Sequence, residues 1–267
     1  FVGKPSNQPT GCGGGVFSVM FFVQAKRLFF GHGSGNYISR ELGAQRHDNA
    51  QRMASTGFFL SFTLGIAVLL IGEACITPLS LWLGSTPTIL PYTEQYLGIS
   101  LLGTPFFTSS LTMNNQMRFQ GNARLALWGI LSGAIVNVLL DPLFIFVFDM
   151  GVAGAALATV IGQFISFLIL LRMTYLGGNI RYSWRNFTPK VALFKEIIAG
   201  GTPSLSRQGL ACIAMILLNT AASAYGDVAI AAMSIVSRCT MMVLAAVIGF
   251  GQGFQPFCGF NYGAQQY

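Results

Sequence analysis

A lone carboxylate deep inside an apolar run is the residue here best suited to chemistry. Asp141 sits in ALWGILSGAIVNVLLDPLFIFVF, and apolar residues continue for seven positions beyond it. Holding a carboxylate inside a membrane span costs about 2.5–3.5 kcal/mol on insertion scales. Such a group must face a cavity or a partner, and an ion or proton seat is the chemistry that fits. The plainer alternative makes Asp141 the N-cap of a helix that starts at Pro142. Asn137 precedes Asp141 by four residues and shares its helical face. An amide oxygen beside a carboxylate offers hard oxygen ligands of the kind an alkali cation takes. Pro142 has no N–H, so it would free the carbonyl of Val138 toward the same place. Thr159 follows in GVAGAALATVIGQ, where Gly151, Gly154, Ala155, Ala156 and Ala158 permit close helix contact. The connection around 149–151 is short, so these two spans are antiparallel neighbours and place Asp141 and Thr159 at similar depth. A hydroxyl bonded back to its own helix is the ordinary alternative for Thr159.

Other polar residues in apolar surroundings are secondary candidates. Asn114 and Asn115 form a notch in SSLTMNNQMRFQ, either as ligands or as interfacial residues near Arg118. Pro203, Arg207, Gln208 and Asn219 occupy one later span, and Arg238, Gln252 and Gln255 another. Bonds between helices are the default for such groups. A cavity for amphipathic cations, lined by Gln208, Asn219, Gln252 and Gln255, is the functional alternative.

The elements that carry these residues follow from composition. Of 267 residues, 53% are hydrophobic and only 9% charged, where soluble domains carry about 25% charged. The mean hydropathy is +0.61. The sequence therefore predicts an all-α polytopic membrane protein. Seven candidate spans run over roughly 16–38, 54–83, 93–117, 125–148, 151–171, 197–224 and 228–260. Ten of the 15 basic residues fall in alternate connections: Arg40, Arg46 and Arg52; Arg118 and Arg124; Arg172, Arg181, Arg185, Lys190 and Lys195. Excess Lys and Arg mark cytoplasmic loops, so the net charge of +7 reads as topology rather than as affinity for nucleic acid. The cysteines form no CxxC pair, and the two histidines, His32 and His47, are too few for a histidine metal site.

Residues 172–196 hold Gly177-Gly178 and Pro189 and read as a linker, with a surface helix at 190–196. The linker separates an N-terminal lobe, 1–171, from the start of a C-terminal lobe, 197–267. An internal repeat supports that division. At an offset of 220 residues GHGSGNYISRELGA (31–44) overlies GQGFQPFCGFNYGA (251–264), matching Gly31, Gly33, Gly43 and Ala44 to Gly251, Gly253, Gly263 and Ala264. Nothing supports an enzyme. No carboxylate pair, Ser/His/Asp or Cys/His set or phosphate loop is present, and the two G-x-G sequences lack a dinucleotide fingerprint's later acid.

Five segments resemble the bacterial MATE (multidrug and toxic compound extrusion) exporters: GHGSGNYISRELGA, NVLLDPLFIF, GVAGAALATVIGQ, IAAMSIVSR and GFGQGFQPFCGFNYGA. The resemblance covers most of the chain from about residue 31. It implies twelve helices in two lobes, of which this sequence looks like the second to the eighth. It implies export of cationic, lipophilic drugs in exchange for Na⁺ or H⁺. It also implies a monomer when full length, in the bacterial inner membrane, with no cofactor beyond the coupling ion. In members with an N-lobe cation site, the matching residues are Asn137, Asp141 and Thr159, with Asn114 nearby; the Asp those members carry on their first helix has no counterpart here. The Glu some branches carry on the seventh helix is missing from SLSRQGLACIAM. Residues 5–15 and Lys26-Arg27 depart from the family pattern. A lipid-linked precursor flippase of the same superfamily, using Arg207 and Arg238, is the alternative transport reading. An inert truncated fragment is the alternative outside transport.

Overall fold

The computed structural model describes residues 29–82, 90–148, 150–176, 178, 180–223 and 227–266. The described elements are helical. A first helix, α1, covers 29–43. It is followed by α2 (His47–Ala74), α3 (Ile76–Trp82), α4 (Leu90–Leu102), α5 (Thr104–Phe119) and α6 (Ala123–Pro142). A π-helical turn, Leu143–Val147, leads to α7 (Gly151–Leu176), a 3₁₀ turn (Trp184–Asn186), α8 (Val191–Ser223) and α9 (Asp227–Gly263). Four stretches are long and apolar enough to cross a membrane by themselves: His47–Ala74, Ala123–Val147, Ala153–Tyr175 and Met242–Gly263. The part of the first predicted span before residue 29 lies outside the described residues.

The distribution of polarity is that of a protein dissolved in lipid. Leu131, Val138 and Leu139 on α6 are exposed, as are Phe250 and Phe254 on α9. The central helix α5 is instead almost wholly buried, although it reads TPFFTSSLTMNNQMRF. Its hydroxyls are satisfied within the helix: Thr108 donates to the Thr104 carbonyl at 3.0 Å, Ser109 to Pro105 at 2.7 Å, and Thr112 to Thr108 at 3.0 Å. With the hydroxyls turned inward onto carbonyls, a Ser/Thr-rich helix can sit in the middle of the bundle.

Three expectations change in detail. The span at 93–117 is two helices, broken at Gly103, with Pro105 in the first turn of α5. The proline supplies no N–H to the preceding turn, so the ladder cannot run through. The span at 54–83 is α2 with a separate short α3. No separate surface helix forms at 190–196; those residues are the opening turns of α8, which runs unbroken through Pro203. The linker is also shorter than drawn, because α7 extends to Leu176.

The linker is stitched to α2 and α5. Ser183 N–H donates to Ser55 Oγ at 3.2 Å, Thr188 N–H to Thr56 Oγ1 at 3.3 Å, and Ile180 N–H to Gln120 Oε1 at 2.9 Å. Tyr182, in the linker and outside the spans, stacks on Phe58 and donates its hydroxyl to Gln116 Oε1 at 2.8 Å. Burial pushes this phenol above its ordinary range, so it stays protonated and donating.

The two copies of the repeat lie against each other. A Cβ on Gly43 would overlap the Phe260 carbonyl, and one on Gly263 would overlap the Arg40 carbonyl. These are the same positions at the 220-residue offset, exchanged. Reciprocal contact of this kind is what a two-fold relation between the copies produces.

Candidate functional site

Two glycines set the spacing of α6 and α7. A Cβ on Gly162 would lie 2.7 Å from the Gly133 carbonyl oxygen and 3.2 Å from Asn137 Cβ. One turn away, Ser166 donates to the Gly129 carbonyl at 2.8 Å. At this separation Asn137 Nδ2 donates to Thr159 Oγ1 at 3.2 Å, while the Thr159 hydroxyl donates to its own Ala155 carbonyl at 2.9 Å. Thr159 thus bonds back to its own helix, as the ordinary alternative has it, and also ties α6 to α7.

Asp141 lies inside continuous helix. Helix α6 extends to Pro142, whose backbone is helical (φ −62°, ψ −35°), and no side chain caps the turn after it. The capping alternative for Asp141 is therefore set aside. Beyond Pro142 the helix widens into a π turn closed by Phe148 N–H on the Leu143 carbonyl at 3.1 Å. Asp141 Oδ1 is buried and has no hydrogen-bond partner among the described residues. A buried, unpaired carboxylate oxygen is costly, and a cation or a proton removes that cost.

Beside the Asn137–Thr159 tie is a cavity of about 230 Å³, whose polar lining is Ser110, Asn137, Thr159, Gln163 and Ser166. Gln163 Oε1 is buried without a donor. Gln163 follows Thr159 by one helical turn and so shares its face, a spacing visible in the sequence. Among the described residues no group of three or more His, Cys, Asp or Glu could hold a metal ion; any cation here would rest on Asp141 with amide and hydroxyl oxygens.

The other predicted residues lie elsewhere. Asn114 donates to the Ala126 carbonyl at 2.6 Å, three helical turns, or about 16 Å, back along α6 from Asn137. Gln252 accepts from Arg118 Nη1 at 2.6 Å, and Gln255 donates to Asn36 Oδ1 at 3.1 Å. With Ser39 donating to the Pro256 carbonyl at 2.7 Å, these bonds join α9 to α5 and α1. Gln255 also lines a cavity of about 490 Å³ together with Asn36, Arg40 and Glu196. Gln208 is half-buried on α8. Asn219 is in α8 as well, but its side chain lies outside the described residues, as does that of Arg238.

An all-helical bundle with four stretches able to cross a membrane, polar residues buried on α5 and a carboxylate in mid-helix is the architecture of a multi-pass membrane protein. The profile of the MatE family matches residues 1–143 and 203–267, and the chain belongs to that family. Among curated relatives it is 28% identical over 234 residues to the multidrug export protein MepA of Staphylococcus haemolyticus (strain JCSC1435), covering 87% of this chain and 52% of the relative. It is likewise 28% identical over 240 residues to MepA of Staphylococcus aureus (strain MSSA476), covering 89% and 53%. The chain thus spans about half the length of the curated relatives it matches. Two solved structures resemble it at 25% identity. One is a MATE protein in complex with MaD3S (TM-score 0.94, covering 99% of this chain and 60% of that one). The other is a multidrug resistance MATE family transporter in an outward-facing conformation (TM-score 0.92, 98% and 58%).

Proposed function

We propose that this chain forms the N-terminal lobe and the start of the C-terminal lobe of a secondary active transporter. It exports cationic, amphipathic drugs or toxins across the bacterial inner membrane by antiport with Na⁺ or H⁺. The observation that carries the reading is the buried, unpartnered Asp141 oxygen, one helical turn from an asparagine that is itself bonded to Thr159. Asp141 supplies the charge, and the oxygens of Asn137 and Thr159 complete the seat. Binding of the coupling ion favours one arrangement of the lobes and binding of the drug the other. The difference in affinity between the two states couples the two fluxes. The identities of the relatives support the substrate class, since MepA is a multidrug export protein. The transporter acts as a monomer within the bilayer.

The experiment is Asp141→Asn in the transporter as expressed in its cell, with drug resistance and membrane level both measured. Loss of resistance at normal membrane level is expected. Resistance retained by the variant overturns the role of Asp141. Efflux measured while Na⁺ and pH are varied separately then identifies the coupling ion.

A further inference from the structure

Arg118, at the end of α5, has no counter-charge among the described residues. Its Nη1 donates to Gln252 and its Nη2 to Asn115 Oδ1, both neutral amide oxygens. Its Nε–H is buried and has no acceptor. Among the described residues the ion pairs are Arg40–Glu196 and Arg46–Glu41, and neither reaches it. A half-buried guanidinium with a buried, unmet N–H is costly unless something negative approaches it.

Beside it is an open cavity of about 570 Å³, flanked by α1, α5 and the start of α6 on one side and by α9 on the other. That size is typical of small-molecule sites, about 300–1,000 Å³. Gln120 lines the cavity too. Its Oε1 accepts from Ile180 N–H, and its Nε2 is a second buried donor with no acceptor. The remaining walls are mainly apolar, including Leu42, Phe119, Phe257 and Phe260. The space is room rather than tight packing, since a Cβ built on Gly249 or Gly253 would meet nothing within 4 Å. Arg40, Arg46 and Arg124 lie at the same end of the bundle, and basic clusters beside a membrane draw anionic headgroups.

We propose that this cavity binds an anionic amphiphile from the bilayer, its oxyanion on Arg118 and Gln120 and its apolar chain along Phe257 and Phe260. Such an occupant touches α5 and α9 at once and holds them together. The site depends on neither the coupling ion nor the exported drug.

Native mass spectrometry of the purified chain tests this, with phosphatidylglycerol, phosphatidylcholine and inorganic phosphate titrated separately. Phosphatidylglycerol is expected to bind at least tenfold more tightly than the other two. Arg118→Gln should weaken that binding about tenfold or more, since bonds to charged groups are the stronger class. Should Arg118→Gln misfold, Gly253→Leu fills the cavity and leaves every polar contact in place, and it should show the same loss. Equal binding of the two lipids overturns the proposal, as does phosphate binding as tightly as phosphatidylglycerol. So does unchanged phosphatidylglycerol binding by a folded Gly253→Leu chain.

Discussion

Replacing Gly162 by alanine tests whether helix spacing sets the cation seat. The new Cβ would lie 2.7 Å from the Gly133 carbonyl oxygen, where ordinary contact begins at 3.4 Å, so α6 and α7 must part by about 0.7 Å. Both neighbours on that side are helical backbone or the base of a side chain, so no flexible tip can yield instead. The same 0.7 Å added to the 3.2 Å Asn137–Thr159 contact gives about 3.9 Å, too long for a hydrogen bond. Overpacking costs about 1–3 kcal/mol, and losing one neutral hydrogen bond about 1 kcal/mol, equivalent to roughly fivefold in ion affinity. Thermal melting followed by tryptophan fluorescence, with and without Na⁺, reads both quantities. The variant should melt earlier, and its midpoint for Na⁺ stabilisation should move up about fivefold. For a proton-coupled protein the same shift appears in a pH titration of the melt. A variant that melts with the parent refutes the close approach of the helices. A variant that melts earlier but keeps its ion midpoint refutes the part of Asn137 and Thr159 in the seat.

Tyr182→Phe should lower stability by about 1–3 kcal/mol, because it leaves Gln116 Oε1 buried without its donor; chemical or thermal unfolding measures it. The phenol's proton affinity is higher folded than unfolded, so its contribution is complete below about pH 10 and is lost as pH rises further. The parent should lose stability above that pH, and the phenylalanine variant should lack this component. Arg40→Ala should cost under about 1 kcal/mol despite the 2.6 Å ion pair with Glu196, because the side chains are 40% and 43% exposed. Gly43→Val should separate α1 from α9, since its side chain would meet the Phe260 backbone; a cross-link between cysteines placed at Asn36 and Gln255 should form in the parent and fail in the variant.

Much of this was visible in the sequence, because a few spacings are rigid. Four residues fix a face, so Asn137 and Asp141 had to share one, and a short turn made α7 the neighbour of α6. Which way a helix rotates about its own axis is not fixed by spacing. Asn114 was grouped with the cation ligands, yet α5 turns it to the Ala126 carbonyl instead. The break at Gly103 left its signals in Gly103 and Pro105, but the apolar run continues straight across them and hides two helices in one span. Gln163 carried the same one-turn relation to Thr159 that singled out Asn137, and it went unread because its oxygen's lack of a donor is a property of packing. Arg118 looks like an interfacial charge in a basic loop; only the fold shows it half-buried against neutral amides.

The exchanged contacts of Gly43 with Phe260 and of Gly263 with Arg40 constrain how the two halves can move. A small turn about the axis relating them slides both points equally and keeps them touching. A tilt across that axis must lift both points together, since neither backbone has slack to stretch. Release at this seam therefore breaks two contacts at once rather than one after the other.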